Sequence, residues 1–399
     1  MPDIAQTYIE LAFGLEGHLP GYIDGYFGPD EWKREDKRSL QDLEQSAYSL
    51  AEEVGQLENL ERRTFLTAQV SAMQTSIRLL KGEAVPYAEE VRGLYDIDPL
   101  RVPESDFETA IAALGELLPG SGDIATREQE LRAKLVVPAD KVKDIADVIV
   151  SELKTRTLAK FPLPEDESFH LELVTNKPWG GYNWYLGDYR SRIDINTDLP
   201  TYLTNLPNLI AHEVYPGHHT EHALKEKLLW REQERLEHSI LLINAPECVI
   251  SEGVATWALE MVMSKDELRT WLADELAPFV GINSDDVRTM LSVMEVRDAL
   301  EGLSGNAALK LYEDDASEAE VLRYFERYGL KKPEEAKKSL EFITYPTSRS
   351  YVFTYTVGYA LLKPLLESKN ADSWFTRLLQ EPVTPGVVRD WVEKQRVEP

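Results

Sequence analysis

Amphipathic helical periodicity extends over nearly all of the 399 residues. Apolar side chains recur at positions i, i+3, i+4 and i+7 in long segments, which is the spacing of one face of an α-helix. Breaks containing proline or glycine separate these segments, for example at 28–30, 99–105 and 119–123. The pattern fills about the first 160 residues and resumes from Tyr202 to near Gln395. The sequence therefore predicts a mainly α-helical protein.

One segment, between Ser168 and Asn196, departs from this pattern. Its hydrophobic and polar residues alternate, aromatic and β-branched side chains are frequent, and Gly-Gly and Gly-Asp pairs provide turns. These features predict two or three strands joined by hairpins, which form a small antiparallel β-sheet. The Pro-Leu-Pro-Glu-Asp segment at 162–166 predicts a boundary between an N-terminal helical region, 1–165, and a metal-binding catalytic region, 166–399. A single continuous domain remains the alternative.

Composition excludes several classes of protein. With 70 acidic and 43 basic residues, the formal net charge is −27, which disfavours binding to nucleic acid or to an anionic membrane. Cys248 is the single cysteine, so the chain has no intrachain disulfide and no four-cysteine zinc site. Neither a signal-like N-terminus nor an apolar run long enough to span a membrane is present. The expected location is the cytoplasm, and the oligomeric state stays open.

Four of the seven histidines lie within eleven residues, in the segment LIAHEVYPGHHTEH. Histidine is the commonest metal ligand among side chains, so this cluster predicts a metal site. On an uninterrupted helix, His212 and His218 would face different sides. Pro216 disfavours helix at the residue before it, and Gly217 permits a left-handed turn, so the chain can bend and bring both histidines to one metal. Glu213 would then activate a water molecule.

A second interpretation uses the same segment. His218, Glu221 and His222 match the inverted pattern H-x-x-E-H, in which both histidines bind the metal and the glutamate is the base. The residues alone leave both interpretations open.

The segment HEVYPGHH resembles the H-E-x-x-P-G-H-H signature of the family known as domain of unknown function 885, which is similar to the helical, Glu-liganded zinc metallopeptidases. The resemblance covers about residues 180–370 and includes three further segments: RIDINT at 192–197, SEGVATWALE at 251–260 and the tyrosine-rich block at 344–362. Val254 departs from the family pattern, which has an aromatic residue there. The resemblance implies a multi-helix, zincin-like architecture, one Zn²⁺ ion on His212 and His218, and Glu213 as the general base.

A catalytic zinc ion has three protein ligands and one position for water. Glu252 lies forty residues after His212 at the start of a helical segment, and its Glu-Gly-x-Ala pattern resembles the third-ligand segment of Glu-zincins. Glu252 is therefore the predicted third ligand. Glu247 is the nearest alternative ligand, and Glu260 is better placed to orient a ligand.

The tyrosine-rich block predicts groups that act beside the metal. Tyr351, Tyr355 and Tyr359 have the spacing of one helical face, with Tyr345 and Arg349 just before it. Tyr345 or Tyr351 is the predicted oxyanion donor, and Arg349 is predicted to bind a substrate carboxylate through its planar guanidinium. The predicted substrate-binding residues are His219, Tyr355, Asn196 and Tyr185.

Together these features predict a zinc-dependent, metallopeptidase-like hydrolase of peptide or small amide substrates. If Arg349 binds a terminal carboxylate, the activity would be that of a carboxypeptidase on small peptides. A non-catalytic metal-binding or interaction protein is one alternative, and a metal-dependent hydrolase of non-peptide amides or esters is another.

Overall fold

A computed structural model describes residues 3–33, 37–177, 180–198 and 200–397. The prediction of a mainly helical protein is confirmed. The helices before the sheet are α1 (Ile4–Glu16), α2 (Leu40–Gly55), α3 (Leu60–Leu80), α4 (Tyr87–Tyr95), α5 (Glu104–Leu117), α6 (Ile124–Ala133) and α7 (Val142–Lys160). Those after it are α8 (Leu206–Glu213), α9 (His218–Lys225), α10 (Pro246–Val262), α11 (Lys265–Thr270), α12 (Ala277–Val280), α13 (Ser284–Arg297), α14 (Leu303–Tyr312), α15 (Glu318–Gly329), α16 (Pro333–Thr344), α17 (Phe353–Leu366), α18 (Ala371–Gln380) and α19 (Pro385–Val397).

Five strands form two small sheets in the described residues: β1 (Ile23–Tyr26), β2 (Ser168–Val174), β3 (Gly181–Gly187), β4 (Arg190–Asn196) and β5 (Ile240–Leu242). β1 pairs with β5 in antiparallel orientation. The second sheet has the order β2-β4-β3, in which β3 and β4 form an antiparallel hairpin.

The prediction of a purely antiparallel sheet is wrong for β2, which pairs with β4 in parallel. The chain passes from β2 to the far edge of the sheet, and β4 then returns between β2 and β3. Alternation of residue types predicts strands but contains no information about which strands become neighbours. This topology leaves β3 at an edge of the sheet, which is where the candidate site lies.

Two buried hydrophobic clusters hold the helices together. The smaller cluster joins α1, α2 and α3 to the β5 segment through Ile240, Leu242 and Ala245. The larger cluster extends from Tyr87 to Trp391 and draws residues from both sides of position 165. The division of the chain at 165 stays a prediction. No helix in the described ranges has the length and apolar character needed to cross a membrane.

α10 and α17 cross at two glycines, and this crossing positions part of the candidate site. A Cβ atom on Gly358 would lie 2.6 Å from the backbone oxygen of Val249, and one on Gly253 would lie 2.9 Å from Leu362 Cδ1. The distance at Gly358 is too short for a side chain, and a Cβ atom on Gly253 would also lie 3.1 Å from the backbone carbonyl of Gly358, so glycine permits this close approach. The crossing holds α10, which carries Glu252, against the segment that carries the tyrosines.

Candidate metal centre

His212, His218 and Glu252 converge on one point, with their potential ligand atoms all within 4.8 Å of one another. His212 Nε2 and His218 Nε2 are 3.2 Å apart. Glu252 Oε2 lies 3.5 Å from His212 Nε2, and Glu252 Oε1 lies 3.8 Å from His218 Nε2. Within the described ranges, this is the one group of three or more His, Cys, Asp or Glu side chains with such geometry.

The bend between the two histidines has a different cause from the one predicted. α8 ends at Glu213 and α9 begins at His218, so the histidines belong to separate helices. The prediction of a left-handed turn at Gly217 is wrong, because its φ is −79°. Glycine is needed because of space: a Cβ atom would lie 1.9 Å from the backbone oxygen of His212 and 2.4 Å from that of Ala211.

Gly217→Ala should therefore abolish tight metal binding. The added methyl group cannot be accommodated without moving the end of α8 away from the start of α9, which separates His212 from His218. We expect the metal content after dialysis to fall from about one ion per chain to near zero. Metal analysis checks this, with circular dichroism to verify that the helices remain. Gly55→Ala is a matched control, because a Cβ atom there meets no atom within 4 Å.

The carboxylate of Glu252 fits a metal ligand. The residue is 6% exposed, and its buried Oε2 atom makes no hydrogen bond, with His212 Nε2 3.5 Å away. A buried carboxylate oxygen without a partner is costly unless another group, such as a cation, compensates it. Burial raises the pKa of Glu252, but the interactions with His212 and His218 outweigh burial and lower it. Two imidazole nitrogens and one carboxylate oxygen form a donor set suited to Zn²⁺.

Hydrogen bonds orient both ends of this cluster. The Tyr351 hydroxyl donates to Glu252 Oε1. On the other side, His218 Nδ1 is 3.1 Å from Ser251 Oγ, which in turn donates to Glu221 Oε2 at 2.6 Å. Partners of this kind fix the orientation of a histidine ring and leave its other nitrogen free for a metal.

The inverted pattern is less compatible with this geometry. The Glu221 carboxylate accepts from both Ser251 and Lys225, so it is not free to act as a base. The His222 ring is stacked parallel to the His218 ring, with centroids 5.8 Å apart, and does not belong to the three-residue cluster. Burial is the main cause that lowers the pKa of His222 to about 3. Glu247 is likewise paired with Lys225.

The cluster opens into a cavity of about 700 Å³. Glu213, 8% exposed, lines the same cavity as the three potential ligands. The edge strand β3 lines it through Gly181–Trp184, and the Asn183 amide donates to the backbone oxygen of Glu213 at 2.6 Å. This hydrogen bond attaches the edge strand to the end of α8.

Three of the predicted tyrosines also line the cavity: Tyr345, Tyr351 and Tyr355. α17 begins at Phe353, so Tyr351 lies in the turn before the helix, although its ring still contacts that of Tyr355 with centroids 5.6 Å apart. Burial and the charge of Glu252 raise the pKa of Tyr355 well above its usual range, so its hydroxyl remains a proton donor. Tyr359 instead stacks on Trp257, which agrees with a packing role.

Arg349 lies outside the cavity, contrary to the prediction that it binds substrate there. Its guanidinium makes two hydrogen bonds to the carboxylate of Glu90 on α4, a residue only 1% exposed. Ser350 donates to the same carboxylate, and Tyr87 donates to the backbone oxygen of Arg349. Arg349 therefore anchors the tyrosine-rich block to α4 through Glu90, and its side chain, 32% exposed, lines a separate cavity of about 390 Å³.

The remaining predicted substrate-binding residues, except Tyr355, are also outside the cavity. His219 is fully buried, and its ring nitrogens meet Ser191 Oγ at 2.8 Å and Glu167 Oε2 at 2.9 Å. Tyr185 donates to Glu226. The Asn196 amide donates to the backbone oxygen of Lys177. Each of these polar groups stabilises the packing around the sheet.

The sequence reasoning missed Asp24, which lines the cavity from β1. Tyr182 on β3 donates a hydrogen bond to Asp24 Oδ1. The available signal was the segment PGYIDGYFGPDEW, whose alternating glycines and aromatic residues are compatible with the lining of a cleft. An acidic residue within such a segment is a candidate for a polar role in that cleft.

No family model matches the chain, and no curated protein matches it in sequence. Solved structures similar in fold include the following two. A "putative lipoprotein" from Colwellia psychrerythraea is 14% identical with a TM-score of 0.56, over 89% of this chain and 70% of that chain. A "putative lipoprotein of unknown function" from Shewanella oneidensis is 12% identical with a TM-score of 0.50, over 90% of this chain and 73% of that chain. At this level of identity, the similarity concerns the fold alone.

Proposed function

We propose that this chain is a zinc-dependent, metallopeptidase-like hydrolase that cleaves peptide or small amide bonds. The observation that carries the proposal is the convergence of His212, His218 and Glu252 at the wall of a cavity that Glu213 also lines. The unpartnered Oε2 atom of Glu252 supports the assignment of a metal ligand. The resemblance of HEVYPGHH to helical zinc peptidases agrees with the same ligand set and with a zincin-like site.

A bound zinc ion supplies Lewis-acid polarisation of the scissile carbonyl and of a water molecule. Within the chain, Glu213 accepts the proton of the attacking water and later donates it to the leaving amine. Tyr351 orients Glu252, because its hydroxyl already donates to that carboxylate. Tyr355 and Tyr345 are then the better candidates for donation to the developing oxyanion.

The edge strand β3 offers a means of binding an extended substrate. An exposed strand edge can pair with a peptide backbone, which places alternate side chains in the adjoining cavity. Gly181–Trp184 of β3 line the cavity, β4 pairs with one edge of this strand, and β1 packs beside it through the Tyr182–Asp24 hydrogen bond. The backbone of β3 would hold the substrate while Glu213 acts on the scissile bond.

Removal and restoration of the metal test the proposal. The chelated protein should hydrolyse a mixed peptide pool at least roughly a hundredfold more slowly than the zinc-loaded protein, and zinc should restore the rate. Mass spectrometry of the pool measures the products. Stoichiometric zinc binding without hydrolysis would instead favour a non-catalytic metal-binding protein. Cleavage of esters or non-peptide amides alone would favour a metal-dependent hydrolase of non-peptide substrates.

The cytoplasmic location stays a prediction from the sequence, whereas both fold neighbours are named as lipoproteins.

A further inference from the structure

The charges around the cavity are almost all negative. The described residues that line it include five acids and three histidines but neither lysine nor arginine. The acids are Asp24, Glu213, Glu221, Glu247 and Glu252. Lys225 does not line the cavity. Its ammonium group pairs with Glu221 at 2.7 Å and with Glu247 at 2.9 Å, so these two carboxylates share a single positive charge. Glu252 and Glu213 have proposed roles at the metal centre, which leaves Asp24 as the acid to which no role has been assigned.

Asp24 lies at this wall in an irregular position of β1, between the paired residues Ile23 and Gly25. β1 pairs with β5 through Ile23 and Leu242, and Leu241, Leu242 and Ile243 line the cavity next to it. Tyr182 donates to Asp24 Oδ1, whereas Oδ2 has no hydrogen bond and no ion pair among the described residues. A fixed carboxylate with one oxygen available is a typical acceptor for a cationic group of a ligand.

The electrostatic surroundings of Asp24 favour a cation. Burial is the main cause that raises the pKa of Asp24; the hydrogen bond from Tyr182 and the charge of His218 oppose it, whereas the charges of Glu252 and Glu213 add to it. Asp24 lines the same cavity as His212, His218 and Glu252. A positively charged ligand group would offset both the burial and the repulsion.

We infer that Asp24 binds the protonated amino group of the substrate, so that the site takes peptides or amides with a free amine close to the scissile bond. This inference rests on the proposed hydrolase function. It replaces the expectation of a carboxypeptidase, since Arg349 lies outside this cavity and is paired with Glu90, and the described lining contains neither lysine nor arginine for a terminal carboxylate. The corresponding activity is that of an aminopeptidase or a dipeptidase.

A second metal ion is a weaker candidate for the partner of Asp24. A metal site needs three or more converging donors, and the one such group in the described ranges is the cluster that excludes Asp24. An ammonium group needs only one carboxylate oxygen with a neighbouring acceptor. The cavity into which the metal centre opens provides that arrangement.

Paired substrates test the inference. A peptide and its N-acetylated form, otherwise identical, should differ in kcat/KM by roughly tenfold to a hundredfold in favour of the free amine, the range expected for a charge-assisted hydrogen bond. Asp24→Asn should remove this preference by slowing only the free peptide. Asp140→Asn, which removes an exposed carboxylate outside the cavity, should retain the preference.

A binding measurement separates this inference from the proposed function. Calorimetry with the zinc-loaded protein should show tighter binding of phenylalanine amide than of N-acetylphenylalanine amide. Asp24→Asn should remove this difference in affinity, and Tyr182→Phe should reduce it. Hydrolysis of free and acetylated peptides at equal rates would overturn the amine inference and leave the hydrolase intact. Selective amine binding without any hydrolysis would support amine recognition and overturn the hydrolase. If Asp24→Asn lowered kcat/KM equally for the free and the acetylated peptide, and if calorimetry showed no preference for the free amine, the amine inference would be overturned. Asp24 would then have a structural role.

Discussion

Glu213→Gln should lower kcat by about 10²–10⁴-fold while the protein retains its metal. Glutamine has nearly the same shape as glutamate but cannot accept a proton from water at neutral pH. Glu213 is not one of the three converging donors, so its replacement leaves His212, His218 and Glu252 in place. Steady-state kinetics on a cleaved peptide, with metal analysis of the same sample, measures both parts of this prediction.

Glu221→Gln is the comparison that distinguishes the two histidine patterns. The Glu221 carboxylate is already bound to Lys225 and Ser251, so its loss should affect catalysis only through the orientation of His218. If Glu221→Gln abolished turnover while Glu213→Gln left it unchanged, the inverted pattern would be correct and Glu213 would not be the base.

The features that local sequence determines were predictable. The 3.6-residue periodicity predicted the helical class, and the histidine cluster with a distant glutamate predicted residues that the structure brings together. Histidine, glutamate and tyrosine in short, unusual patterns carry chemical information by themselves. For these residues, spacing left two interpretations open, and the family resemblance favoured the set that converges in the structure.

The features that depend on long-range packing were not predictable. Arg349 is paired with Glu90, which lies 259 residues earlier, so no local pattern could reveal that its guanidinium is occupied. His219 is likewise bound to Ser191 and Glu167. Asp24 reaches the cavity only because β1 pairs with β5, more than two hundred residues away in sequence. Polar residues near a catalytic motif therefore divide into catalytic and packing groups only in the folded structure.

The requirement for glycine at position 217 also depends on packing that the sequence does not show. From the sequence, glycine after proline suggested a left-handed turn. In the structure, its backbone has a negative φ, and glycine is required because the chain returns against the carbonyl of His212. The sequence located the bend correctly, but the steric reason lies in the contact between α8 and α9.

Metal content across a set of variants tests the central claim most directly. Wild-type protein, His212→Ala, His218→Ala, Glu252→Ala and His222→Ala are loaded with zinc, dialysed and analysed for bound metal and affinity. We expect one ion per wild-type chain. Loss of a residue that only orients a ligand typically weakens metal affinity by roughly 10–100-fold. Replacement of His212, His218 or Glu252 should weaken zinc affinity by more than this, whereas His222→Ala should weaken it by no more than this. Zinc retained in His212→Ala and lost in His222→Ala would contradict the proposed centre.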